Sequence, residues 1–251
     1  MSDYQIIKVN NKEYKVISHW FWKQFNQSGW EQQTYNVFER YIDKDTTYID
    51  IGAYLGITLF YAAQFTEKLL FGVEANPLSY EMLYENVKCL DTVKLSNICI
   101  TDKDNVIVGF GGKDNKENTS SASSIRGNCW QVKSKNLLSY LVQNNLLNCE
   151  KLFIKIDIEG AEELILNDLA VLRYLRDITV YLSIHPPFMK DKKTFCRDLL
   201  NFCYDFNNVL DSDMNELLKE DLEEMIMSDE ECPIWGTEWG NFFEIVLTNK
   251  D

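Results

Sequence analysis

Six apolar runs recur along the 251-residue chain: TYIDI (47–51), KLLFGVEA (68–75), VKLSNICI (93–100), KLFIKIDI (151–158), ITVYLSIH (178–185) and FFEIVLT (242–248). Strands that read as near-continuous apolar runs are buried on both faces, and a chain that alternates them with helices forms a mostly parallel α/β sheet flanked by helices. The helical patterns begin near Gly56, after Pro77 in PLSYEMLYENVKCL, in NLLSYLVQNNL, at Gly160 and in KKTFCRDLLNFCYDF. Ahead of the first run lies an aromatic segment, HWFWKQFNQSGWEQQTYNVFERYI, in which Tyr35, Phe38 and Tyr41 keep helical spacing and predict a helix packed on the sheet. We expect one domain over 1–251, with a cap segment at 1–45 and the core at 46–251.

Composition narrows the partners. An apolar fraction of 45% supports one large core. The 25 basic and 39 acidic residues give a formal charge of −14, which repels a phosphate backbone, so nucleic acid is not an expected partner. Seven scattered cysteines without a C-x-x-C pair signal neither a disulfide framework nor a zinc site, and are expected to be reduced thiols in the cytoplasm. No run of about 18 apolar residues and no signal-peptide pattern is present, so no membrane span is expected. The stretch GGKDNKENTSSASS (111–124) is biased towards loop residues.

Chemistry concentrates at three strand ends. In TTYIDIGAYLGITLFYAA (46–63), Asp50 closes the first strand and Gly52 and Gly56 sit in the turn to the next helix, where open α/β sheets bind ligands. D-x-G-x-x-x-G is not the dinucleotide fingerprint: an acid replaces the first glycine and would repel a pyrophosphate, but suits a ligand bearing an ammonium or sulfonium. Glu74, 22 residues after Gly52, ends the second strand, where a carboxylate can accept hydrogen bonds from both ribose hydroxyls. A glycine turn with a ribose acid and no pyrophosphate site describes S-adenosylmethionine; the plainer alternative leaves Glu74 as a solvated acid ahead of a Pro-started helix.

The third signal is LFIKIDIEGAEELIL (152–166). Lys155, Asp157 and Glu159 alternate with isoleucines, so at period two they are expected on one side of the strand as it leaves the core. Glu162 and Glu163 read as acids opening the following helix. Functionally, Asp157 and Glu159 would orient a substrate hydroxyl beside the nucleoside; structurally, Lys155 and Glu159 would be an ion-paired edge with Asp157 a turn cap.

YIDIGAYLG, VEANP and above all IKIDIEGAE resemble the FkbM family of S-adenosylmethionine-dependent methyltransferases, over about Trp30 to His185. The resemblance implies a class I, Rossmann-like fold and O-methylation of a hydroxyl on a sugar, glycan or related metabolite. By motif it places Asp50, Gly52, Ala53, Gly56, Glu74, Asn76, Asn97 and Asp157 around the cofactor. It also matches the serines of 120–124 to a family stretch. The pattern is broken at Leu138 and Ser139, where the family has acids, and at Ser183, where many members carry the glutamate of E-x-H. A base assigned to that glutamate cannot be transferred here.

Methyl transfer from a sulfonium needs in-line positioning and removal of a hydroxyl proton. His185, closing the fifth strand, is the expected acceptor of that proton as a neutral imidazole near pH 7, with Asp157 orienting it or the sugar and Glu159 alongside; alternatively His185 bonds only the loop backbone. Asp157, Glu159 and His185 could hold a divalent cation, but no metal-specific spacing supports one and none is assigned. Trp130, Trp235 and Trp239 could stack on a sugar ring or simply fill apolar space. A nicotinamide-dependent oxidoreductase and a non-catalytic glycan-binding protein remain as alternatives.

Overall fold

The computed structural model describes residues 3–28, 32–110, 130–228 and 242–250. The chain opens with a hairpin, β1 (Tyr4–Val9) and β2 (Lys12–Ile17), then α1 (Phe21–Ser28) and α2 (Gln32–Tyr41). The core follows as β3 (Thr46–Ile51), α3 (Ile57–Ala62), β4 (Leu70–Val73), α4 (Pro77–Val87) and β5 (Val93–Ser96). After β6 (Cys99–Thr101), β7 (Ile107–Phe110), β8 (Trp130–Asn136) and α5 (Leu137–Gln143) come β9 (Lys151–Ile156), α6 (Leu166–Leu172), β10 (Ile178–Ile184) and α7 (Lys192–Leu200). The last elements are β11 (Asn208–Asp211), α8 (Lys219–Met227) and β12 (Phe243–Thr248).

Seven strands form one sheet in the order β11-β12-β10-β9-β3-β4-β5. Strands β10, β9, β3, β4 and β5 are parallel, and β12 runs antiparallel to both its neighbours. All six runs predicted from the sequence contribute to it, with one difference. The run 93–100 breaks at Asn97, and its second half becomes β6 of a separate three-stranded sheet with β7 and β8.

Period two sorts the sheet's side chains onto two cores. On one face Ile49, Ile154, Val180 and Ile245 join the apolar residues of α5 to α8. On the other, Tyr48, Phe153, Tyr181 and Val246 meet the amino-terminal elements and α3. Phe38 of α2 sits edge-on to Phe153 with ring centroids 5.1 Å apart, and Thr34 shares a 2.8 Å hydrogen bond with the Tyr181 hydroxyl. The helical stripe Tyr35, Phe38, Tyr41 is thus buried, as its spacing predicts.

The amino-terminal hairpin was not anticipated. Its signal is nonetheless present: Ile7, Val9, Tyr14 and Val16 are buried at period two around an Asn-Asn turn whose Asn10 adopts φ 53°. No helix among the described residues is long and apolar enough to cross a membrane.

Candidate active site

The sheet order reverses at β3. The chain runs outward through β4 and β5 and returns to the opposite side at β9, leaving a crevice at the carboxyl ends of β3 and β9. Gly52 turns away from β3 with φ 89°, and a Cβ there would lie 1.8 Å from the carbonyl oxygen of Asp157. At Gly56, also φ 89°, a Cβ would press on Val87 and Leu83 of α4 at 2.6 and 2.8 Å. Both glycines are expected to make room for a ligand; the atoms crowding them are the protein's own, so what demands glycine here is internal close approach.

The turn's amides are engaged. Gly52 N and Ala53 N both donate to the Val73 carbonyl at 2.9 and 3.0 Å, Tyr54 N donates to Glu74 Oε2 at 2.9 Å, and Gly56 N donates to the Ala53 carbonyl at 2.8 Å. A pyrophosphate needs such amides free. Tyr54 and Glu159, on the two loops that face each other across the crevice, both hold left-handed backbone, at φ 46° and 49°. Strain of that kind persists only where surrounding structure enforces it.

Glu74 is 6% exposed; its Oε1 accepts from Asn76 N at 2.7 Å and its Oε2 from Tyr54 N. Each oxygen keeps a further lone pair, so the carboxylate can still accept from a diol. Burial, reinforced by Glu159 and Asp50 and opposed by the two amide bonds, raises its pKa to about 7. Asn76 caps α4 by accepting from Leu78 N and Ser79 N, and Asn97 donates to the carbonyls of Glu74 and Ala75 at 2.8 and 3.1 Å. Ala53 is buried. These three residues hold the rim of the crevice in place; their visible partners are protein atoms.

Asp50 differs from expectation. Its side chain is 0% exposed, takes a hydrogen bond from the Thr58 hydroxyl, and lies 3.8 Å from the Lys155 ammonium. Burial raises its pKa, against the pull of Lys155 and Thr58. It lies buried at the end of β3, held by Thr58 and Lys155.

Lys155, itself buried, links Asp50 to Asp157, whose Oδ2 is 3.1 Å from the ammonium. The strand ends at Ile156, so Glu159 does not continue the line of Lys155 and Asp157; it sits in the following turn. Asp157 keeps 31% of its side chain exposed at the crevice. Burial opposes its charge, but Lys155 and His185 prevail and hold its carboxyl below the usual range. Its Oδ1 lies 3.6 Å from His185 Nε2.

His185 Nδ1 is 2.9 Å from Oε1 of Glu162, a carboxylate with no exposed surface that also accepts from Gly160 N at 2.7 Å. Burial alone would lower the imidazole pKa; Glu162, then Asp157 and Glu159, raise it to about 9. The neutral imidazole expected near pH 7 meets opposition here: the carboxylates of Glu162 and Asp157, one facing each ring nitrogen, favour the protonated ring. The sequence reading missed Glu162 as its partner because acids after a glycine look like a helix start. Residues Ala161–Leu164 instead form a single 3-10 turn that folds Glu162 inward.

Glu244 of β12 was also missed. It pairs in register with Ser183 of β10, and its carboxyl is pushed up by burial and by Asp157, against His185 and Lys155. Counting Asp50, Glu74, Asp157, Glu159 and Glu162 against Lys155 and His185, the described edge beside the cofactor turn is richer in acids than in cations. That balance, with the spare lone pairs of Glu74, fits a cationic nucleoside. Among the described residues, no group of three or more His, Cys, Asp or Glu is arranged to hold a metal ion, Asp157, Glu159 and His185 included. Trp130 packs on the Cys99 and Val132 cluster beside Ala75. Trp235, Trp239 and the serines of 120–124 lie outside the described residues.

This sheet order and its crevice define a class I S-adenosylmethionine-dependent methyltransferase. The chain belongs to the FkbM methyltransferase family: the FkbM domain model matches residues 50–222. Among solved structures, the chain is similar to a precorrin-6y C5,15-methyltransferase from Geobacter metallireducens GS-15 at 14% identity, over 88% of this chain and 89% of that one, with a TM-score of 0.45. It is also similar to M. jannaschii TYW2 in complex with AdoMet, at 12% identity over 98% and 84%, TM-score 0.42. A third is M. capricolum TrmK in complex with S-adenosyl-homocysteine, at 12% over 86% and 68%, TM-score 0.43. No curated protein matches.

Proposed function

We propose that this methyltransferase acts on a hydroxyl of a sugar, glycan or nucleotide sugar, in the cytoplasm. When bound, S-adenosylmethionine supplies a methyl group already activated on a sulfonium. Glu74 accepts from its ribose hydroxyls, while Asp50 and Glu159 add negative field around the cationic donor. The engaged amides of residues 52, 53, 54 and 56 disfavour a nicotinamide dinucleotide in the same turn.

The single observation that carries the acceptor reading is Asp157, a partly exposed carboxylate held ionised at the crevice by Lys155 and His185. A fixed carboxylate accepts hydrogen bonds from hydroxyls and aligns one of them for in-line attack. An acid-rich edge and a net charge of −14 suit a hydroxyl-rich acceptor better than a polyanion. Calorimetry with S-adenosylhomocysteine and with NADH tests the cofactor, and only the first is expected to bind. Mass spectrometry for a methyl gain on a panel of nucleotide sugars and glycans tests the acceptor. Cofactor binding with no methyl gain on any hydroxyl acceptor overturns it.

A further inference from the structure

Register brings a second acid to the edge where Asp157 stands. Residues 155 and 181 are partners across β9 and β10, so Asp157 and Ser183, two residues on, project from the same face of the sheet. Ser183 is in turn the partner of Glu244 across β10 and β12. Facing residues on adjacent strands are about 5 Å apart, so Ser183 and Glu244 sit side by side, and Asp157, one residue past the end of β9 on the Lys155 side, extends their row. The row starts beside the cofactor turn, where Asp157 meets Gly52, and runs away from it towards β12. An acceptor bound next to the cofactor lies over this row.

The other groups along the row are engaged. His185 is clasped by Glu162 on Nδ1 and faces Asp157 on Nε2, and Asp157 is held by Lys155. With a carboxylate facing each ring nitrogen, His185 has no nitrogen turned to an acceptor hydroxyl. Glu244 makes no side-chain hydrogen bond or ion pair with another described residue; the charged groups that act on it are Lys155 and Asp157 from β9 and the turn after it, and His185 from the end of β10.

We infer that Glu244 is a further catalytic residue of the acceptor site, the carboxylate that takes the proton of the acceptor hydroxyl while Ser183 and Asp157 hold the sugar. This rests on the reading of the chain as an O-methyltransferase. In the step, the acceptor O–H bond breaks and its proton passes to Glu244; the oxygen forms the new O–CH3 bond, and the electron pair of the broken S–CH3 bond stays on sulfur. The proton then leaves Glu244 to solvent.

Replacing Glu244 by Gln and by Asp tests this. Glu244→Gln should lower kcat on the acceptor by roughly 10²–10⁴-fold, the range for a lost general base, with little change in acceptor KM. S-adenosylhomocysteine binding should stay within about twofold of wild type by calorimetry, as the residue lies away from the ribose. Glu244→Asp should retain more activity than Gln and fall short of wild type, and it keeps the test available if the Gln variant does not fold. A readout without turnover is carboxyl NMR of the cofactor-free protein, where a group titrating above the ordinary glutamate range should vanish in Glu244→Gln. Wild-type kcat in either variant, or a loss confined to KM, overturns the inference. Absence of methyl transfer by the wild type to any hydroxyl acceptor overturns the O-methyltransferase reading itself, and this inference falls with it.

Discussion

The imidazole of His185 and the buried carboxylate of Glu162 lie 2.9 Å apart, Nδ1 to Oε1, and this pair sets the charge at the crevice. With its folded pKa raised from 6.5 to about 9, His185 contributes stability that is complete below pH 6.5 and is lost as pH rises through about 9. Glu162→Gln removes the largest force raising that pKa. We expect the titration of His185, followed by ring NMR, to move down from about 9, and the His-dependent decline in thermal midpoint across this window to flatten. An unchanged titration would show that Glu162 does not set it.

Glu74 gives a second pH signature. Its carboxyl is raised to about 7, so it ionises as pH passes that value and becomes a stronger acceptor for ribose hydroxyls. Affinity for S-adenosylhomocysteine should tighten from pH 6 to pH 8. Glu74→Ala should weaken it by roughly 10- to 100-fold, since hydrogen bonds to a charged group are worth about 1.5–3 kcal/mol. Calorimetry at both pH values decides; equal affinity of the variant and wild type would remove Glu74 from the site.

At Gly52 the test is conformational. A methyl group there meets the Asp157 carbonyl at 1.8 Å with φ at 89°, so neither strand end can accommodate it without moving. Gly52→Ala should cost at least about 2 kcal/mol, or roughly 4–8 °C in Tm for a chain of this size. A melting curve that matches wild type would refute the crowding.

Buried Asn86 of α4 makes two hydrogen bonds: Oδ1 accepts from Ile17 N at 2.8 Å and, in a fully buried bond, Nδ2 donates to the Leu55 carbonyl at 3.0 Å. Asn86→Ala strands both partners and should destabilise by about 1–3 kcal/mol in urea unfolding. It should also weaken S-adenosylhomocysteine binding, because Leu55 lies in the turn proposed to hold the cofactor. Loss of stability without loss of affinity would uncouple the two.

The sheet was legible because its strands are buried on both faces, and continuous apolar runs such as ITVYLSI need no tertiary knowledge to be recognised. Gly52, Asp157 and His185 stood out in the sequence because polar or flexible residues at the ends of such runs have few structural excuses, and the structure puts each one residue past the carboxyl end of its strand, β3, β9 or β10. Glu162 and Glu244 did not. Each gains its meaning from a partner 23 or 61 positions away, His185 and Ser183, through a turn and a strand pairing that no local pattern encodes. At Asp50 the burial was not legible, since spacing cannot tell a carboxylate facing the crevice from one buried against Lys155 and Thr58.

The two-sided grip of Asn86 bears on how such an enzyme can diversify. Because one amide fastens both the leading hairpin and the loop that follows β3, a foreign leader spliced onto this body would arrive with its latch unmatched. Exchange of the leading segment is thus constrained at Ile17, where the latch closes.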